Sequence, residues 1–302
     1  MSQTGDREDA IMPGGIAMLL QHHVDAGVTP EAVRDQMLAD WPDLGPITVM
    51  PPSDMDDEDG AVAQFSLECG NAIIIVTTMD SQFADDTAEL CAGSRLWPDA
   101  ATFDTDYQAT TIVAAYFEDD DAADVAVHAL LTQAMASIIA VSNEAFAVYW
   151  GDADHVIIPP LFREMAQEIL PNPPLYLWVA FNAGFREGGE FASTTVGLDS
   201  LGLMDIEIPD SSKTPEDTQE FILNLVIYLL ETARSSLMAI PSGRVKPSGS
   251  ARYTRNRCST LIRPSFSCAM SNLVLTKATV NPSVRGSVGG VVKRGVVTRV
   301  VA

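Results

Sequence analysis

The stretch AVAQFSLECGNAIIIVTTM, Ala61 to Met79, decides the fold class. It reads as two extended apolar runs, AVAQFSLE and NAIIIVTTM, separated by Cys69-Gly70. β-branched residues dominate the second run, and a short break containing glycine is the signal of a tight hairpin. An antiparallel pair is therefore expected at the centre of the first half of the chain.

Working outward, GIAMLLQ (Gly15 to Gln21) and ATTIVAAYFE (Ala109 to Glu118) read as further buried strands. TPEAVRDQMLADWP opens with Thr29 as N-cap and Pro30 at the first helical position, and stops at Trp41-Pro42. ADDTAELCAGSRLWP (Ala84 to Pro98) is a second, shorter helix. The order β-α-β-β-α-β is that of a ferredoxin-like split unit.

The pattern continues with a long helix from Asp119, whose acids sit at its positive N-terminal end. A strand follows at Ala145 to Trp150, then a helix at Pro159 to Leu170. Strands are expected at Leu175 to Asn182 and Leu203 to Ile208, with Ser193 to Leu198 extending or turning. TPEDTQEFILNLVIYLLETA then reads as a core helix, apolar over most of its circumference and packed on more than one side. The expected fold is α+β: two ferredoxin-like, split β-α-β lobes (14–118 and 119–233) with mixed sheets covered by helices. A disordered N-terminus (1–13) and a disordered basic tail (234–302) flank them.

Charge separates the tail from the rest. Residues 1–231 hold all 41 acids and six bases, a net −35, whereas residues 232–302 hold twelve bases and no acid, a net +12. An acidic body repels nucleic-acid backbones and anionic membranes and attracts a basic protein. The four cysteines show no zinc-type spacing, and no leader-like segment opens the chain, so a cytoplasmic protein with reduced thiols is expected.

Catalytic signatures are absent from the pattern. DMDDEDG lacks the twelfth-position glutamate of a calcium loop, and the glycine pairs near Gly188 and Gly289 lack the context of a dinucleotide site. His22-His23 should diverge after the first strand, and His128 lies one helical turn from Asp124, suited to a local ion pair. The most site-like place is the loop after Trp150, because loops at strand ends often host ligands. Its candidates are Tyr149, Trp150, Asp152, Asp154 and His155. No catalytic residue, metal ligand or cofactor is assigned.

WPDA (Trp97 to Ala100), AVYWGDADHVIIPPLF (Ala147 to Phe162), LYLWVAF (Leu175 to Phe181), TTVGLDSLGLMDIEI (Thr194 to Ile208) and ILNLVIYLLE (Ile222 to Glu231) occur in one order. Together they resemble the bacterial domain of unknown function 4261 family over residues 14–231. The resemblance implies no activity and no catalytic residue. It implies a turn and closing strand region after the YLL helix, which the acid-free tail does not supply. That tail is expected to be an out-of-frame product rather than a basic arm. A soluble binding or adaptor protein is the expectation, an immunity-type partner of a basic toxin. The alternative is a small-molecule or metal-dependent enzyme using the Trp150–His155 loop.

Overall fold

The structure is a computed structural model that describes residues 15–51, 61–83, 87–97, 99–118, 124–186 and 188–238. The N-terminal stretch 1–13, the acidic loop 52–60 and the tail from 239 onward lie outside the described residues. The chain divides into two units, one comprising the described residues up to Asn182 with Thr195–Asp205, the other Ala183–Thr194 with those from Ile206 onward.

The first unit is built on seven strands: β1 (Ile16–Gln21), β2 (Ile47–Val49), β3 (Ala61–Cys69), β4 (Ala72–Met79), β5 (Ala109–Phe117), β6 (Ala145–Trp150) and β7 (His155–Ile157). They form one sheet in the order β2-β3-β4-β5-β1-β6-β7. The opening hairpin is β3–β4. Cys69 pairs with Ala72 across Gly70-Asn71, one residue later than the sequence suggests, with Gly70 at φ +65° in the position that type II′ turns reserve for glycine.

The α+β class is as expected, but the strands are shared differently. β6, from the expected second lobe, pairs antiparallel with β1, and β7 extends it, so one sheet spans residue 118. Its strand pairs are all antiparallel rather than mixed. The physical reason is that β1 is apolar from Ile16 to Leu20 and mostly buried, so both its edges need partners; β5 takes one and β6 the other.

Alternation divides the two faces. Met18, Leu20, Ala147 and Tyr149 face the segment that carries α2 (Thr87–Gly93) and the aromatic residues Trp97, Phe103 and Tyr107. Ala17, Leu19, Val148 and Trp150 face the helices α1 (Pro30–Asp40), α3 (Asp124–Val141) and α4 (Pro159–Ile169). α1 begins as expected, with Thr29 Oγ1 accepting from Ala32 N.

α3 is long and apolar enough to cross a membrane, and among the described helices it stands alone in this. Its burial is that of a core helix: it packs on β1 and β5 and between α1 and α4. Arg163 of α4, Asp40 of α1 and Ser137 of α3 tie these helices together.

The strand expected at Leu175 to Asn182 is a short helix followed by a strand, α5 (Leu175–Trp178) and β8 (Ala180–Phe185). Pro173 and Pro174 fix φ near the helical value, and the turn closes through Leu177 N to Pro174 O and Val179 N to Leu175 O. Strands β2 and β7, of three residues each, are too short to leave a period in the sequence.

The chain continues with β9 (Phe191–Val196), most of it in the second unit, and with β10 (Glu207–Ser211) and α6 (Pro215–Met238), which lie wholly in that unit; the three-stranded sheet has the order β10-β9-β8. The strand expected at Leu203 to Ile208 starts later. Asp205 accepts from Leu198 N and Thr195 Oγ1, which ties the preceding residues into a loop. Helix α6 passes the expected boundary at residue 233. It buries one stripe, Thr218, Ile222, Val226 and Leu230, at a spacing of four, while Phe221, Leu225 and Leu229 are half-buried and Tyr228 is exposed. One-sided packing replaces the expected all-round burial.

Candidate functional site

The loop after Trp150 is a 3-10 turn, Gly151–Ala153, joining β6 to β7. It separates its sequence-predicted candidates. Because Tyr149 and Trp150 are adjacent on a strand, they point to opposite faces. The indole of Trp150 is fully buried, 5.9 Å from the ring of Phe162 and 6.0 Å from that of His128. Among the described residues its Nε1 has no hydrogen-bond partner. On the other face the Tyr149 hydroxyl donates to Asp154 Oδ1 at 2.7 Å. That bond holds Asp154 in a left-handed conformation, φ 52°, which aspartate tolerates better than most residues.

His155 pairs with Trp150 across β6–β7 and is 5% exposed. Burial pushes its pKa down to about 4, against the opposing effects of the Leu177 carbonyl and the Asp154 charge. The ring is therefore neutral near pH 7, and Nε2–H donates to Leu177 O at 2.9 Å.

Asp152 meets a partner the sequence reading had placed elsewhere. His128, on α3, is wholly buried, and its Nδ1 lies 2.8 Å from the backbone oxygen of Asp124 rather than from that residue's carboxylate. A carboxylate four residues earlier on the exposed side of a helix does not reach a side chain turned into the core. The carboxylate His128 does meet is Asp152, with Oδ2 3.0 Å from Nε2.

Ser200 completes the cluster from the 3-10 turn Leu198–Leu201, its Oγ 3.0 Å from the same Nε2. The residue types are those of a hydrolytic triad, but the wiring is not. In a triad, serine and carboxylate occupy different ring nitrogens, so that the carboxylate orients a base whose other nitrogen takes the serine proton. Here both crowd Nε2, and Nδ1 faces a carbonyl. Ser200 Oγ also lies 2.8 Å from Gly197 O, which takes its proton. Nδ1 thus faces a carbonyl, Nε2 faces two oxygens, and the serine proton points to Gly197 O, away from the ring. This is a clamp between α3, the Gly151–Ala153 turn and the Leu198–Leu201 turn.

The other candidate chemistries are likewise occupied. Among the described residues, no three His, Cys, Asp or Glu side chains converge as metal ligands. Burial, and then the Asp99 charge, push the Cys91 thiol up to about 12, far from the thiolate a nucleophile needs. His22 and His23 diverge, the first 3.9 Å from Asp104 and the second 3.1 Å from Gln108.

The turn carrying Ser200 also lies in the segment matched by a family. Residues 194–233 match the model of the DUF4261 family, a domain of unknown function. The DUF4261 segment runs from β9 through Gly197, Ser200 and Asp205 into β10 and α6. It covers the last part of residues 14–231, which resemble the same family, and extends two residues past them. No curated protein and no solved structure matches the chain.

Proposed function

We propose that the protein is a non-catalytic binding protein whose acidic body engages a basic protein partner, as an immunity-type protein engages a basic toxin. The observation that carries this reading is the charge: 41 acids against six bases over residues 1–231. Among the described bases, Arg34, Arg163 and Arg186 are already paired with carboxylates, which leaves the acid excess facing solvent. The internal use of Tyr149, Asp152, Asp154 and His155 supports the same reading, since none of these groups is poised for proton transfer.

Such a field speeds association more than it tightens the final complex, and salt screens it within about 10 Å at 0.1 M. Tagged protein in native lysate is therefore expected to capture a basic partner, with an association rate that falls several-fold between roughly 50 and 200 mM salt. Absence of a basic partner at both salt concentrations would overturn the proposal. The juxtaposition of Ser200, His128 and Asp152 favours a second reading, an enzyme at the Trp150–His155 loop, which serine-directed labelling tests.

A further inference from the structure

We infer that the cleft beside Arg95 is a binding site for the carboxylate head of a small apolar acid. The cleft lies wholly within the first unit, lined among others by Ser94, Arg95, Leu96, His155, Tyr176 and Phe181, and has a volume of about 30 Å³.

Its cation is placed by the backbone on either side. Ser94 Oγ donates to Val156 O, and Ile158 N donates to Leu96 O, so both neighbours of Arg95 are hydrogen-bonded onto the β7 side of the sheet. Arg95 stands between these two anchors. Unlike Arg34, Arg163 and Arg186, it has no carboxylate partner among the described residues. It is exposed, so a ligand can reach it, yet the cleft walls desolvate the guanidinium enough to lower its pKa, while Tyr176 opposes that shift. In a body of net charge −35, an unpaired guanidinium held in a cleft is conspicuous.

The chemistry of the walls narrows the ligand. Burial raises the Tyr176 hydroxyl, against the pull of the Arg95 charge, so it remains a phenol and can donate. His155 adds no charge, because it is neutral and already engaged with Leu177 O. One positive charge matches a monoanion. A planar carboxylate fits the planar guanidinium fork, and its apolar stem gains wall contacts that inorganic phosphate cannot make. Leu96, Val179 and Phe181 give an apolar stem its contacts. This inference is independent of the acidic-surface proposal.

The test is a titration of the ¹⁵N-labelled full chain with benzoate and, separately, with inorganic phosphate, following the Arg95 Nε–H resonance. Benzoate should shift that resonance saturably with a Kd on the order of 1 mM. Arg95→Gln, followed through the Tyr176 and Phe181 backbone amides, should weaken binding about tenfold, the loss of one charge-assisted bond. Tyr176→Phe should weaken it severalfold with the fold unchanged by circular dichroism. Three results would each overturn the inference: no saturable benzoate shift, equal binding by Arg95→Gln, or phosphate binding as tightly as benzoate.

Discussion

Arg163 holds Asp40 through both ends of its guanidinium, Nη1 to Oδ2 and Nη2 to Oδ1, each at 2.8 Å. The Asp40 side chain is 7% exposed and also accepts from Ser137 and Gln36. Burial alone would raise its pKa; the bonds from Arg163, Ser137 and Gln36 outweigh burial and hold it below the usual carboxylate value.

Removing the arginine should therefore cost more than the pair contributes. Arg163→Met leaves a buried carboxylate without its cation and should destabilise by about 3 kcal/mol, whereas Arg163→Lys, which loses the fork but keeps the charge, should cost about half of that. Urea unfolding at neutral pH checks both. Because the folded Asp40 pKa is depressed, its contribution is present above the unfolded value and lost as pH falls through the folded one. The gap between wild type and Arg163→Met should accordingly shrink in acid.

Much of this helix layer was legible in the sequence and much of the sheet was not. Thr29-Pro30 marked α1, and the β3–β4 hairpin declared itself, because caps and turns are local chemistry. The pairing of β6 with β1 is decided by which buried strand edges remain unfilled, a property no local window contains. The candidate site divides in the same way. Trp150 to His155 stood out as a loop, but Asp152 gains meaning only beside His128 and Ser200, which are 72 positions apart and brought together by the fold. Trp150 attracted notice as a site residue and proves to be core.

Gly197 is a second position where the fold tolerates one residue type. Its φ is +109°, and a Cβ would lie 2.8 Å from Trp178 O and 3.1 Å from Asp152 O, backbone atoms that cannot swing aside. Gly197→Ala should destabilise by about 3 kcal/mol, through strain and displacement of the turn. Gly45→Ala is the control, since Gly45 has φ +81° and nothing within 4 Å. It should cost only about 1 kcal/mol. Equal losses in thermal unfolding would show that the Gly197 contact is slack.

His155 sets an expectation for acid stability. Its pKa is about 4 in the folded protein against 6.5 ordinarily, so the unfolded chain binds a proton that the folded one excludes. The stabilisation is complete above pH 6.5 and is lost as pH falls through 4; the two values imply a loss of about 3 kcal/mol. His155→Gln retains a donor for Leu177 O without titrating. It should flatten the stability profile between these pH values, measured by denaturant midpoints. An unchanged slope would place the ring's proton elsewhere.

The clamp formed by His128, Asp152 and Ser200 yields the expectation that separates the two functional readings. Because the Ser200 proton goes to Gly197 O, the hydroxyl is not activated, and a fluorophosphonate should leave Ser200 unlabelled at neutral pH. Ser200→Ala then removes one partly exposed hydrogen bond and should cost about 1 kcal/mol, because Asp152 still holds the ring. Asp152→Asn should cost more, about 2 to 3 kcal/mol, since it withdraws the charged acceptor from a buried ring nitrogen. Labelling of Ser200, abolished by His128→Gln, would reverse the assignment. It would show that the serine proton reaches the imidazole and that the carboxylate shares Nε2 only at rest.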